Sequence, residues 1–249
     1  MFMKKFPGEF SDFIQKAHIK RSSPGSLGIN GENVRWFPNI IDAGSSRAAI
    51  QLLHKELSPY LRPQHFPISP DLIKKLRRNF TETLPKTFRN ETVSLNSTRS
   101  GASMVAKKIG LLQMLGSKSL HALAQEISGY ELEARPGFQV SRYKPGNFIG
   151  PHNDHHPEDK HLRDGYIDFQ VTLTSQAVAN QYLIYENNGV LNNIVDMSIP
   201  SGLAIAHLPF WHQVTPLIAK KGRETEAERW LIMVSFNKAE PPKKSSNTS

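Results

Sequence analysis

The chain of 249 residues contains no cysteine. That absence excludes disulfide frameworks, thiolate metal sites, cysteine nucleophiles and iron–sulfur clusters, so any metal centre must be built from nitrogen and oxygen ligands. Also missing is any apolar run of about 18 residues, the length a membrane-spanning helix needs. The opening MFMKKFPGEF carries two lysines but no apolar stretch of signal-peptide length behind them. A cytoplasmic protein that does not span a membrane is the expectation. No internal repeat of fixed period and no low-complexity block occurs. Acidic charge is in short supply, with 31 Lys and Arg against 22 Asp and Glu, a net charge of +9. The basic residues are dispersed in small groups: Lys4-Lys5, Lys74-Lys75 with Arg77-Arg78, Lys107-Lys108 and Lys220-Lys221. Dispersed charge favours solubility and attracts anions more than it builds a nucleic-acid track, so a nucleic-acid partner is not the expectation and an anionic substrate or co-substrate would benefit.

What is present is a hydrophobic content of 38%, enough for a proper core. Residues 1–25 are polar and end in RSSPGS, and residues 240–249 combine Pro, Lys and Ser without an apolar anchor; both are expected to be flexible. Residues 26–239 are expected to form a single domain in two parts. In the first, apolar Ala49, Leu52, Leu53 and Leu57 recur at helical spacing, SPDLIKKL over 69–80 offers a Ser N-cap and Pro at the first helical position, and residues 111–127 show a third helical pattern closing at Gly129. A helical preface to about residue 129 follows from these. Beyond it the texture changes to β-branched and aromatic runs, FQVSRY, YIDFQVTLT, QYLIYE, LNNIVDMSI, GLAIAH and RWLIMVSF, separated by Gly, Pro and Asn. Strands without helical patterns between them predict a largely antiparallel sandwich or barrel over 130–239, and an α+β class for the whole.

The chemistry concentrates where one such strand ends, in RYKPGNFIGPHNDHHPEDKH. Residues two apart in extended chain point to the same side, so His152 and Asp154 can converge on one ion. His54 and His156 also precede a carboxylate by two positions. His54, however, falls in a helical pattern, where such residues diverge, and His155, His156 and His161 read as a solvated loop. A third ligand should come from a distant strand, and PSGLAIAHLPFWHQVTPL offers His207 and His212. His207 shares a strand face with Leu203 and Ile205 and reads as packed. His212 follows the strand end and is the ligand expected. Two histidines and one carboxylate leave three coordination positions open, the arrangement of non-haem Fe(II) oxygenases.

The order His152-x-Asp154, then His212, then Arg229 opening RWLIMVSF, resembles the HxD…H…R pattern of the Fe(II)/2-oxoglutarate-dependent dioxygenases over residues 138–237. The resemblance implies a double-stranded β-helix (jelly roll, cupin-like) with the helical N-terminal half packed on it. It also implies Fe(II) held by His152, Asp154 and His212, with 2-oxoglutarate and dioxygen as co-substrates. Arg229 becomes the anchor for the distal carboxylate, a role suited to a guanidinium fork; Arg223, in the polar stretch KKGRETE, competes for it. Tyr143 matches a position where such enzymes place a hydroxyl on that carboxylate. His155, Arg163 and Trp211 are candidate substrate contacts, and the loops over 155–166 and 186–189 are expected to cover the substrate.

The chain departs from prolyl-hydroxylase-like members, which carry a Gly-Gly element where ANQYLIYENNGV stands and a shorter gap between distal His and Arg. The run HQVTPL…TEAERWLIMVSF looks more like the tail of bacterial hydroxylases acting on free amino acids. A free or carrier-bound amino acid is therefore the first substrate expectation, and a protein side chain of the prolyl type the alternative. From other classes, a zinc-dependent hydrolase would use HNDHH, but the binuclear HxHxDH signature needs His at position 150, which is Gly. A non-catalytic jelly-roll module would have lost a ligand or the arginine.

Overall fold

The computed structural model describes residues 3–15, 19, 32–69, 71, 77–78, 81–82, 86–133, 136–155, 158–159 and 165–239. Four helices occur among them: α1 (Ala43–Leu57), α2 (Gly101–Lys108), α3 (Leu111–Leu115) and α4 (Lys118–Ser128). Strands before the change of texture are β1 (Val34–Pro38), β2 (Arg62–Phe66), the short pair β3 (Arg77–Arg78) and β4 (Thr81–Glu82), and β5 (Phe88–Ser94). After it come β6 (Gly137–Tyr143), β7 (Phe148–His152), β8 (Tyr166–Thr174), β9 (Val178–Asn180), β10 (Tyr182–Asn187) and β11 (Val190–Asp196). The last are β12 (Ser201–Leu208), β13 (His212–Val214), β14 (Ile218–Ala219) and β15 (Arg229–Asn237).

One antiparallel sheet runs β1-β12-β8-β15-β6-β5-β7-β13-β10-β11, with β2 attached to β5. It rolls into two facing layers with an interior between them. On its outer layer alternate residues of β8 (Ile167, Phe169, Val171, Leu173) and β15 (Trp230, Ile232, Val234, Phe236) join α1 to α4 in the principal core. Burial of each of these side chains contributes about 1.5–3 kcal/mol of transfer free energy. The opposite residues of the same strands face into the roll. Two of the three smaller clusters include these interior-facing positions, one around Tyr143, Leu217 and Leu231 and the other around Tyr166, Leu208 and Phe210.

The expectation of a helical first half is corrected: β1, β2 and β5 lie within it. β1 pairs with β12 at one sheet edge, and β5 pairs with both β6 and β7, joining the two layers of the roll. β1 and β5 show no regular alternation of buried and exposed residues, and β2 is exposed along most of its length, so periodicity does not reveal them. The helix expected over 69–80 lies largely outside the described residues; Arg77–Arg78 and Thr81–Glu82 pair as strands. Residues 3–15, expected to be flexible, pack through Phe6, Phe10 and Phe13, all 5% exposed or less, with Phe10 edge-on to Phe169 at 5.3 Å. Three aromatic rings supply the anchor that the polar average of the segment conceals. Residues 240–249 lie outside the described residues. No described helix is long and apolar enough to cross a membrane.

His207 sits on the outward face of β12 with its ring 5.1 Å from that of Tyr130. Desolvation and the nearby Lys238 push its pKa down to about 4. With an unfolded value near 6.5, the unfolded chain takes up the proton first on acidification. Stability present above about pH 6.5 is therefore lost progressively down to about pH 4. His207→Phe should show a smaller fall in urea midpoint between pH 7 and 4.5 than the wild type; equal falls would refute the assignment.

Candidate metal centre and anion pocket

Strand β13 is three residues long, and its first residue, His212, pairs directly opposite His152 at the end of β7. This register brings together two imidazoles distant in sequence, with ring centroids 4.1 Å apart. Asp154 joins them from beyond the strand, with φ of 50°. The extended-chain geometry read from the sequence does not apply there: a left-handed turn aims the carboxylate back at the rings. A non-glycine residue pays about 1–3 kcal/mol for such a conformation, tolerated where the surroundings fix it. Asp154 Oδ2 lies 3.2 Å from His152 Nε2 and 3.5 Å from His212 Nε2. The potential ligand atoms of the three residues all fall within 4.8 Å of one another.

The protonation pattern follows from the partners. His152 Nδ1 is 2.8 Å from the Gly150 carbonyl oxygen and His212 Nδ1 is 2.9 Å from that of Phe210. A carbonyl oxygen only accepts, so each Nδ1 carries the proton and each neutral ring turns an Nε2 lone pair toward Asp154. Desolvation pushes His212 down to about 4, which keeps it neutral near pH 7. Burial raises the pKa of Asp154, but the His152 ring beside it, and then Lys86, outweigh it and hold the carboxyl well below the usual range. Lys86 Nζ donates to the outer oxygen, Oδ1, at 2.6 Å. Two lone pairs and a carboxylate oxygen facing one point repel each other unless a cation lies among them, so the donor set fits a divalent metal of the nitrogen and oxygen class. A cleft of about 280 Å³, lined by Lys86, Pro151, Asn153, His155 and Trp211, opens on this centre.

Arg229 opens β15 inside the roll, opposite Tyr143 on β6 and Thr174 on β8. It is 1% exposed, and its guanidinium carbon lies 4.1 Å from the centroid of the equally buried Tyr143 ring. Its Nε donates to Gln181 Oε1 at 2.6 Å, while Nη1 and Nη2 are buried without a hydrogen-bond partner. Burial lowers the pKa of Arg229 and raises that of Tyr143. Leaving a buried guanidinium edge unpaired is costly, and a carboxylate of a ligand would satisfy both Nη groups at once. Arg223 lies on the surface with its Nη2 2.7 Å from Glu226 Oε2, an ion pair that already occupies it.

Of the residues singled out in the sequence, His152, Asp154 and His212 come together, Arg229 and Tyr143 stack, and His155 and the half-exposed Trp211 line the cleft. Arg163, His156 and His161 lie outside the described residues. His54 projects from α1 toward Glu228, 3.1 Å away. The turn at 186–189, expected over the substrate, is instead the tip of the β10–β11 hairpin, with positive φ at Asn188 and Gly189 as a type I′ turn requires. Asn187 borders a different groove, with Trp36 and Tyr185. Sequence reasoning missed Lys86 and Gln181. Gln181 is wholly buried and holds Arg229 while its Nε2 donates to the carbonyls of Thr215 (3.0 Å) and Asn147 (3.3 Å). A glutamine opening the apolar run QYLIY was the available signal; Lys86 offered none.

No protein-family model matches the chain, and no curated protein is similar to it. Solved structures are. A prolyl-4-hydroxylase from Pseudomonas putida superposes with a TM-score of 0.51 at 13% identity, covering 84% of this chain and 94% of that one. A prolyl 4-hydroxylase from Phytophthora capsici gives 0.51 at 13% identity, covering 96% and 68%. The non-haem α-ketoglutarate-dependent carbocyclase SnoK from nogalamycin biosynthesis gives 0.51 at 10% identity, covering 88% of each chain. The likeness establishes the fold as the jelly roll of 2-oxoglutarate oxygenase structures, and the His152-Asp154-His212 cluster fits their HxD…H motif.

Proposed function

We propose that the protein is an Fe(II)- and 2-oxoglutarate-dependent dioxygenase that hydroxylates an unactivated C–H bond of a small molecule. The observation that carries this reading is the pairing, inside one roll, of a three-ligand nitrogen and oxygen centre with a buried guanidinium whose two Nη groups lack partners. With iron bound, 2-oxoglutarate and dioxygen supply the oxidising power for C–H hydroxylation, yielding succinate and carbon dioxide. His152, Asp154 and His212 would hold the metal through the ligand atoms they turn toward one another. Their Nδ1 protons, fixed on Gly150 and Phe210, set which nitrogen binds. Lys86 keeps the outer oxygen of Asp154 occupied, which orients the inner one. Arg229, braced by Gln181 and stacked on Tyr143, receives the far carboxylate of the co-substrate, and the apolar residues Leu217 and Leu231 clustered with Tyr143 exclude water.

Anaerobic titration tests this: a weak visible band should develop only when Fe(II) and 2-oxoglutarate are both present. No such band under any order of addition would dismiss the proposal and return the zinc-hydrolase alternative. Succinate release against free amino acids and against peptides separates a small-molecule substrate from a protein side chain.

Gln181 gives a further expectation. Losing one hydrogen bond to a charged group costs about 1.5–3 kcal/mol. Gln181→Ala should therefore raise the half-saturating 2-oxoglutarate concentration at least about 10-fold with kcat little changed, and Gln181→Glu, which sets a competing carboxylate against Arg229, should raise it further. Unaltered values in both variants would show that the brace has no role in binding.

A further inference from the structure

Strand β8 separates its side chains sharply. Ile167, Phe169, Val171 and Leu173 enter the principal core, which leaves Asp168 and its even-numbered neighbours facing the interior of the roll. Asp168 is 4% exposed. Its carboxylate accepts a hydrogen bond from the Ser235 hydroxyl at 2.6 Å and a long one from the Gln170 amide at 3.4 Å. Among the described residues no lysine, arginine or histidine forms an ion pair with it, and Lys86, whose charge reaches it from a distance, is already paired with Asp154. A buried carboxylate without a countercharge is costly, and proteins that bury charges ordinarily pair them. Arg142, comparably buried, follows that rule and meets Glu91 at 2.6 Å; Arg229, which awaits the co-substrate, is the exception. Nearby on the same strand face, the Thr172 hydroxyl is also buried without a partner.

The position of Asp168 relative to the centre is fixed by register. Arg229 pairs with Thr174 at one end of β8, and Ser235 pairs with Asp168 toward the other. The six steps along the strand from Arg229 to Ser235 span about 20 Å. Next to Asp168 on the same face, Tyr166 shares an apolar cluster with Phe210, whose ring lies 5.0 Å from that of His212. Asp168 is therefore at the metal end of the interior, and Arg229 is at the far end. Burial, opposed by Ser235, raises the Asp168 pKa to about 6, and the charge of Asp154 adds to the rise; this leaves the group predominantly ionised at neutral pH.

We propose that Asp168 receives a cationic group of the substrate, an ammonium or guanidinium, so that the molecule oxidised is an amine- or guanidine-bearing small molecule. This rests on the functional reading above and narrows it to a substrate class. The interior then carries charges of opposite sign at its two ends. The doubly anionic co-substrate is attracted to Arg229 and repelled by Asp168, and a cationic substrate experiences the reverse. Each repulsion discriminates against docking at the wrong end, independently of how tightly either molecule binds at the right one.

Calorimetry on the full chain with n-butylammonium and N-methylguanidinium, against 1-butanol and butyrate as uncharged and anionic counterparts, tests the proposal without turnover. The cations should bind the wild type saturably and at least about 10-fold more tightly than the counterparts, and Asp168→Asn should abolish that preference. Equal affinity for butylammonium and butanol in the wild type, or no cation binding at all, overturns it whether or not the variant folds. An undiminished preference in folded Asp168→Asn overturns it too. The Fe(II)/2-oxoglutarate band, read on the wild type, separates the two proposals: cation binding that depends on Asp168 without a band sinks only the oxygenase, and a band with no cation preference sinks only the substrate class.

Discussion

His212→Ala is expected to abolish 2-oxoglutarate turnover and to weaken Fe(II) binding by more than about 100-fold, since loss of a residue that merely orients a metal ligand already costs about 10–100-fold. The reason lies in the local geometry. β13 contributes little to the fold, only three residues paired between β7 and β10. Its one short hydrogen bond from a side chain in this centre, His212 Nδ1 to Phe210, is made to a residue two positions away. Truncation removes a desolvated imidazole whose neutral form is already enforced by burial, and leaves His152 and Asp154 in place. The melting temperature should therefore stay close to that of the wild type while the metal site fails. His207→Ala is the matched control, a histidine on the strand preceding β13 in the chain that faces Tyr130 outside the roll; it should retain turnover. Succinate formation and an anaerobic Fe(II) titration on both variants decide the matter. Undiminished succinate production by His212→Ala would remove His212 from the centre.

The residues that meet were legible because their chemistry is local or ordinal. An HxD at a strand end, a second histidine at the end of another strand and an arginine opening the last strand need only chain order to be seen. The strand runs after Gly129 were legible for the same reason: YIDFQVTLT coincides with β8, and RWLIMVSF falls within β15. Interior and outer faces alternate in these strands, yet both are buried, and that makes the polar interior hard to see in advance. Asp168 and Gln170 in β8 read from sequence as the solvated half of an amphipathic strand, whereas helices cover one face and the other layer of the roll covers the second. Lys86 and Gln181 were invisible as partners because contact with Asp154 and Arg229 arises from pairing across 68 and 48 residues of chain. The strands of the first half were missed because β1 and β5 take their stability from β12, β6 and β7, and carry no periodic signal of their own. In each case tertiary context outweighed local pattern.

The sharpest separation between two sequence-equivalent readings is at the arginines. Arg229→Ala should lower the apparent affinity for 2-oxoglutarate by about 100- to 1000-fold, the range expected when one partner of a buried, hydrogen-bonded charge pair is removed. Arg223→Ala should leave it unchanged, because that guanidinium is already paired with Glu226 at the surface, where solvent screens the pair and no ligand is enclosed. The converse result would transfer the anchor to Arg223. Stability should move in the opposite sense to affinity. Arg229 in the unliganded chain is a buried charge with two unsatisfied donor groups and only Gln181 and the Tyr143 ring as compensation. Replacing it by Met, which retains much of the packing against Tyr143 and sheds the charge, should raise the melting temperature of the unliganded protein even as the co-substrate is lost. A guanidinium serving only the fold would show the reverse, with Arg229→Met destabilised and 2-oxoglutarate affinity intact. Thermal denaturation with and without 2-oxoglutarate, run on wild type, Arg229→Met and Arg223→Ala, therefore reads both signs in one experiment, and a rise in melting temperature on adding 2-oxoglutarate should occur in the wild type and Arg223→Ala alone.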